Sequence, residues 1–265
     1  AASDVYKRQM CTVGDIYNYI DKFAPFKSCA EWDNVGLLVG DRSKTVKRAA
    51  IALDITPHNV MQAAESGCNL IISHHPVIFH PIKSLNSYSA PYLLAKHGIS
   101  AICAHTNLDA AAGGVNDVLA NIIGLRDVRP IYSKENESLA FGRLGVLMQS
   151  IKAKDLAQTV KERLDAPRVD FTCGDREIKT VAVSSGSGAD LYIDFCIENN
   201  IDAFVTSEIK HHQYLEAVQA GLCIIDAGHF CTERIICKPL ADMLNAEFDA
   251  AEFIVLDETA PYQSL

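Results

Sequence analysis

Asn69-Leu-Ile-Ile-Ser-His-His-Pro76 reads as a short apolar strand that stops at two imidazoles. Strand ends are where a rigid sheet can present ligands, and imidazole is a common ligand for hydrolytic transition metals. In an extended strand, neighbouring side chains point to opposite faces. Pro76 biases His75 away from helix, so the chain can turn there. Two adjacent imidazoles at such a turn could reach two metals or opposite sides of one.

The flanking sequence alternates helix and strand patterns. Before the pair, Ala49 to Leu53 reads as a strand ending at Asp54, and Pro57 opens a helix to about Ser66, closed by Gly67. After it, Ala90 to Lys96 is a helix closed by Gly98. Ile99 to Ala104 is a strand followed by His105, and Val115 to Ile123 is a helix closed by Gly124. Nearer the N-terminus, apolar residues at 13, 16, 17, 20 and 23 have a helical period. The second half repeats the order. Thr180 to Ser184, Ala203 to Thr206 and Leu222 to Ile225 read as strands. Ala189 to Asn199 and Tyr214 to Ala220 read as helices.

This alternation predicts an α/β fold with two similar α/β/α lobes. The halves match as a weak internal duplication, with the metal site expected in the cleft between them. The expected boundaries are 10–126 plus 229–265 for lobe 1, which carries the ligands, and 127–228 for lobe 2. Between the halves, 131–139 is polar, Phe141 to Met148 reads as a strand and Ala153 to Leu164 as a helix. Met10 looks like a natural start, and Ala1 to Gln9 reads as an extension.

Composition narrows the function classes. The chain has 265 residues, 49% of them hydrophobic, and a formal net charge of −9. That charge argues against a nucleic-acid backbone or an anionic membrane as partner. A nucleotide bound at a metal is compatible with it, because the metal supplies positive charge. Nine cysteines, an odd count with no C-x-x-C, read as packed thiols in a reduced, cytoplasmic protein. No run approaches the ~18 apolar residues of a membrane span.

Two further segments carry chemistry: His105-Thr-Asn-Leu-Asp109 and His229-Phe-Cys-Thr-Glu233. Each places a carboxylate four residues after a histidine that follows an apolar run. Carboxylates supply the negative charge that a metal site needs, and one can bridge two cations. The competing readings are structural. Asp109 could cap the next helix, and Glu233 could be a surface partner of Arg234 or Lys238. His211 and His212 form a second pair at a helix start, and could line an entrance. His58, His80 and His97 read as structural, and Cys231 as packing. Ser185-Gly-Ser-Gly188 resembles a phosphate-cradling turn, but lacks a third glycine and a Walker lysine.

Trp32-Asp-Asn-Val-Gly-Leu-Leu-Val-Gly40, His74-His-Pro-Val-Ile-Phe79, His105-Thr-Asn-Leu-Asp109 and Gly228-His-Phe-Cys-Thr-Glu233 together resemble the Nif-three-like family. Its members are also named GTP cyclohydrolase I type 2 homologues, or dinuclear metal-centre hexameric proteins. The resemblance runs from about residue 13 to the C-terminus and is to the short form. It implies that His74 and His229 hold one metal, His75 and Asp109 another, and that Glu233 bridges both. His105 matches a position beside the site that is not usually counted as a ligand. The resemblance also implies a ring-shaped homo-hexamer of two-lobed subunits.

The expected function is a dinuclear metal-dependent hydrolase acting on a small polar or nucleotide-like substrate. GTP ring opening and phosphoester hydrolysis both fit. Two divalent ions per chain are expected, with Zn, Mn, Fe, Co and Ni all compatible. His105 would act as general acid or base, since an unperturbed pKa of about 6.5 suits that role. The rival reading is a non-catalytic metal-binding or metal-handling protein.

Overall fold

In the computed structural model, which describes residues 10–132 and 139–263, α1 (Val13–Phe23) begins on a capping box. Asp15 N donates to Thr12 Oγ1 at 3.1 Å, and Thr12 N donates back to Asp15 at 2.9 Å. The helix buries Val13, Ile16 and Ile20, as its period predicts. The expected extension at 1–9 and most of the polar stretch 131–139 lie outside the described residues.

The chain divides into two units: residues up to Leu108 with Ile236–Thr259, and Asp109–Ile235 with the residues from Ala260 onward. After α1 the first unit continues through β1 (Gly36–Val39), β2 (Arg48–Ala52), α2 (Pro57–Glu65), β3 (Leu70–Ser73), α3 (Ala90–His97) and β4 (Ser100–Cys103). The short helix α4 (Thr106–Ala110) follows. Ala50, Ala52, Ile71 and Ala101 meet Val60 and Ala63 of α2 and Leu94 of α3 in one core cluster. The alternate residues Ile51, Leu70, Ile72 and Ile102 are equally buried. A strand covered on both faces needs an unbroken apolar run, and Leu70-Ile-Ile72 supplies it.

The second unit contains α5 (Val115–Ile123), β5 (Arg126–Ile131), β6 (Gly142–Lys152), α6 (Ala153–Arg163), β7 (Asp170–Phe171) and β8 (Glu177–Val183). It continues with α7 (Ala189–Glu198), β9 (Ala203–Thr206), α8 (His211–Ala220), β10 (Cys223–Asp226) and α9 (His229–Glu233). Its sheet runs β5-β6-β8-β9-β10-β7. The central β8, β9 and β10 are parallel, and the flanking strands are antiparallel. Ala182, Phe204 and Ile224 pack against Tyr192 and Cys196 of α7 and Ala217 of α8. Tyr192 is fully buried, and its hydroxyl donates to Ile131 O at 3.2 Å and accepts from Phe141 N at 2.9 Å.

The chain then returns to the first unit as α10 (Cys237–Glu247) and β11 (Glu252–Val255). The first sheet is thereby β1-β4-β3-β2-β11, with β1 antiparallel and the other four parallel. Periodicity did not point to β1, β5, β7, α10 or β11. β7 is only two residues long, and β5 is exposed along five of its six residues. Such strands carry little apolar signal. Helix α8 starts at His211, three residues before its apolar face begins. Strand β6 runs on to Lys152 through an exposed, irregularly paired stretch.

Among the described residues, no helix is long and apolar enough to cross a membrane. All nine cysteines are free thiols, and seven of them, Cys231 included, are buried. Burial pushes Cys196 up to about 12, which keeps that thiol protonated and unreactive.

Candidate metal centre

Three parallel strands of the first unit end together: Ala52 pairs with Ser73, and Ser73 with Cys103. The ladder runs on briefly. His74 N donates to Ala52 O at 3.2 Å, His75 N to Leu53 O at 2.9 Å, and Ala104 N to Ser73 O at 2.9 Å. The residues beyond the strands, Asp54, His74-His75 and His105, therefore leave the sheet at one carboxyl edge. That edge is where open parallel sheets bind ligands. The ring centroids of His74 lie 5.1 Å from those of both His75 and His105, and His75 and His105 are 5.5 Å apart. One nitrogen from each ring falls within 4.8 Å of the others, so the three could hold a metal ion.

Each ring is held from behind. His74 Nδ1 meets Ala104 O at 3.1 Å, His75 Nδ1 meets Asp54 Oδ1 at 2.8 Å, and His105 Nδ1 meets Asp33 Oδ1 at 2.9 Å. A carbonyl or a carboxylate has no proton to offer, so Nδ1 is the donor in each pair. In a neutral ring Nε2 is then the lone-pair nitrogen, the tautomer that a metal ligand or a general base requires. Hydrogen bonds also pin the histidine backbone. Ser73 Oγ donates to His75 O at 2.7 Å, and Cys103 Sγ to His74 O at 3.1 Å.

Asp33 has no exposed side-chain surface. Burial opposes its ionised form, but hydrogen bonds from His105 and from the Thr106 hydroxyl and amide outweigh that and hold the carboxyl below its usual range. Asp33 and His105 thus form a carboxylate–imidazole pair like those that orient catalytic bases.

In the second unit, β10 ends at Asp226 and Gly228 turns the chain at φ 80° into α9. One helical turn places His229 Nε2 2.8 Å from Glu233 Oε2, and His229 Nδ1 lies 2.8 Å from Glu208 Oε1. A carboxylate oxygen thus stands at each ring nitrogen. Burial works against a charged ring, yet Glu233 and Glu208 overcome it and push His229 up to about 9. Glu233 is only 4% exposed, so it is no surface partner of Arg234, and Lys238 pairs instead with Asp242. A buried carboxylate needs a cationic or hydrogen-bonding partner, and this one faces the His229 imidazole.

Gly186 gives that carboxylate room. A Cβ on Gly186 would stand 2.1 Å from Glu233 Oε1 and 3.3 Å from His229 Nε2, and its φ is +57°. Gly186 N donates to Thr232 Oγ1 at 3.1 Å, and Ser207 Oγ donates to Gly186 O. The glycine turn after β8 therefore cradles Glu233, where its sequence suggested phosphate. Asp109 is half-buried on α4 and faces Ser185 Oγ at 3.5 Å. It does not cap the next helix, whose N-cap is Gly114.

His211 and His212 are exposed at the start of α8, and among the described residues they join no cluster of three ligand-type side chains. His80, read as structural, is exposed and edge-on to Phe79 at 4.8 Å. Asp33, Asp54 and Glu208 were not expected at the site, and Gly186 stood out only as part of the Ser185–Gly188 turn. Asp33 lies inside the Trp32–Gly40 segment, and Asp54 and Glu208 each follow a strand closely. Those positions were the available signal.

A family model described as Duf34/NIF3 (NGG1p interacting factor 3) matches residues 11–261. A protein of Clostridium acetobutylicum named GTP cyclohydrolase 1 type 2 homolog is 35% identical over 233 residues, 83% of this chain and 85% of its own length. Another of that name, from Methanocaldococcus jannaschii, is 30% identical over 246 residues, 92% of this chain and 98% of its own. A hypothetical protein of Staphylococcus aureus has a solved structure that matches with a TM-score of 0.89 at 29% identity, covering 96% of this chain and 99% of that one. A Bacillus cereus protein related to NIF3 shares the fold with a TM-score of 0.89 at 22% identity, covering 97% of this chain and 100% of that one.

Proposed function

Because the chain belongs to the Duf34/NIF3 family, we propose that it is a dinuclear metal-dependent hydrolase acting on a nucleotide-like or small polar substrate. The observation that carries this reading is the shared anchoring of the imidazoles. His74, His75 and His105 all give Nδ1 to an oxygen behind them and cluster within 4.8 Å. Buried core histidines do not need a common orientation; ligands and bases do.

The ligand set is the one the motifs suggest: His74, His75, Asp109, His229 and Glu233. Three imidazoles and two carboxylates suit borderline divalent ions such as Zn, Mn, Fe, Co or Ni. When bound, such ions polarise a scissile carbon or phosphorus centre and acidify water toward a pKa of about 7. The residues of the chain handle the proton. His105 accepts it at Nε2, and Asp33 stabilises the resulting imidazolium through Nδ1. His105 then returns the proton to the leaving group. Gly186 leaves the space that the Glu233 carboxylate occupies, and Glu233 would hold both ions.

We extend the proposal to a cytoplasmic homo-hexamer, which light scattering on the purified chain measures directly. The chemical test is purified protein with and without added Mn, Zn or Fe, assayed on GTP and on phosphoesters. Metal-dependent turnover is expected. Retained metal without turnover in any state would sink the enzyme reading and favour a metal-handling role.

A further inference from the structure

The motif Trp32-Asp-Asn34 puts three consecutive residues to three uses. Asp33 orients His105. Asn34 Nδ2 donates to Ile78 O at 2.6 Å, which ties this segment to the connection carrying Phe79. Trp32 itself is 62% exposed, and Phe79 is 40% exposed. Their ring centroids are 5.9 Å apart at 47°, and Trp32 stands 6.1 Å from His105 at 72°. The most costly side chain to expose is thus held by its neighbours beside the candidate base. Neither neighbour covers its face in parallel, so the rings make an open corner.

We propose that Trp32 and Phe79 form a stacking platform for a planar heteroaromatic ring of the substrate, whose edge it presents to His105. This deepens the hydrolase reading and rests on it. Face-to-face stacking on indole is tolerant of ring identity, because every heterocyclic base has a π-face. The platform would therefore select nucleobase-like rings over sugars and aliphatic acids, while the metal ligands would select the reacting group. The same connection also exposes Ile82, Leu85 and Tyr88. A second copy of the chain is the competing occupant, and the experiment separates the two.

Trp32 is the one tryptophan of the chain, so its fluorescence reports this site alone. Metal-loaded protein is titrated with guanosine monophosphate, adenosine monophosphate and ribose 5-phosphate. Saturable quenching is expected with both nucleotides and none with the sugar phosphate. Calorimetry should show that Trp32→Ala and Phe79→Ala each weaken nucleotide binding on the order of tenfold. Trp32→Phe should recover most of the affinity.

Absence of quenching by either nucleotide would overturn the platform, as would equal affinity for ribose 5-phosphate. A Trp32→Ala variant with a changed mass by light scattering and unchanged nucleotide affinity would assign the face to a second copy instead. Metal content of the same samples is measured in parallel. Metal with no quenching sinks only the platform, whereas quenching without metal sinks only the metal reading.

Discussion

The carboxyl ends of β2, β3 and β4 and those of β8, β9 and β10 solve different electrostatic problems on the same three-strand parallel frame. In the first unit the strand ends carry imidazoles, and the oxygens stand behind them. The result is a cluster of lone-pair nitrogens. In the second unit the strand ends carry Gly186, Glu208 and the turn into His229. There a buried carboxylate stands against an imidazole whose pKa two carboxylates raise. One unit gathers imidazoles and the other buries a carboxylate against a single imidazole. A frame of parallel strands prescribes where side chains emerge and leaves their chemistry to the residues after each strand.

The largest effect expected on this contrast is from Glu233→Ala. It removes the buried charge of the second unit and should lose both metal ions, as read by elemental analysis. Full retention of metal by that variant would refute the bridging role.

Asp33→Asn is next. An amide cannot accept both the His105 and Thr106 hydrogen bonds as a carboxylate does, and it favours the wrong imidazole tautomer. The proposed hydrolase should lose ~100-fold or more in kcat with its metal content kept. A wild-type pH–rate profile in the variant would remove His105 from the proton transfer.

Asp54→Asn and Glu208→Gln break one rear anchor in each unit. Each should weaken metal binding by about 10- to 100-fold, measured by competition with a chelator. The two units would be equivalent after all if both variants bound metal as wild type does.

Smaller effects separate the units by pH. Burial works against ionised Asp202, but the amides of Thr180 and Lys179 outweigh it and lower its pKa. Its contribution is complete above the unfolded value of about 3.9 and is lost as pH falls through the depressed folded value. Glu258 of the first unit is shifted the other way, by burial first, although Leu53 and Asp54 donate to it. Its native form takes up a proton above the unfolded value of about 4.3, so stability from this group falls as pH rises through that window. Denaturation of Asp202→Asn should show a deficit of about 1 kcal/mol near neutral pH that shrinks in acid. Glu258→Gln should gain on wild type as pH rises. A deficit in Asp202→Asn that does not vary with pH would assign its effect to packing.

The strand and helix order was legible from α1 to α5 apart from β1 and the short α4, at β6 and α6, and from β8 to β10. Those elements bury a face, and burial writes a period into the sequence. Edge strands such as β5 and β7 bury little and left no period. The three candidate histidines at strand ends were legible because each follows an apolar run. Their anchors were not. His105 and Asp33 are separated by 72 residues, and nothing in a linear reading favours Asp33 over another aspartate.

The sequence by itself determined that this is an α/β chain with imidazoles and carboxylates placed just past its strands. It also determined, through its combined motifs, the family to which the chain belongs. The tertiary structure alone decided which nitrogen of His74, His75 and His105 faces an oxygen, that Glu233 is buried against Gly186, and that Trp32 stands beside His105. The reason is physical. Periodicity reports burial, which is local along an element, whereas a tautomer, a close backbone approach or a ring contact depends on a partner brought near by the fold.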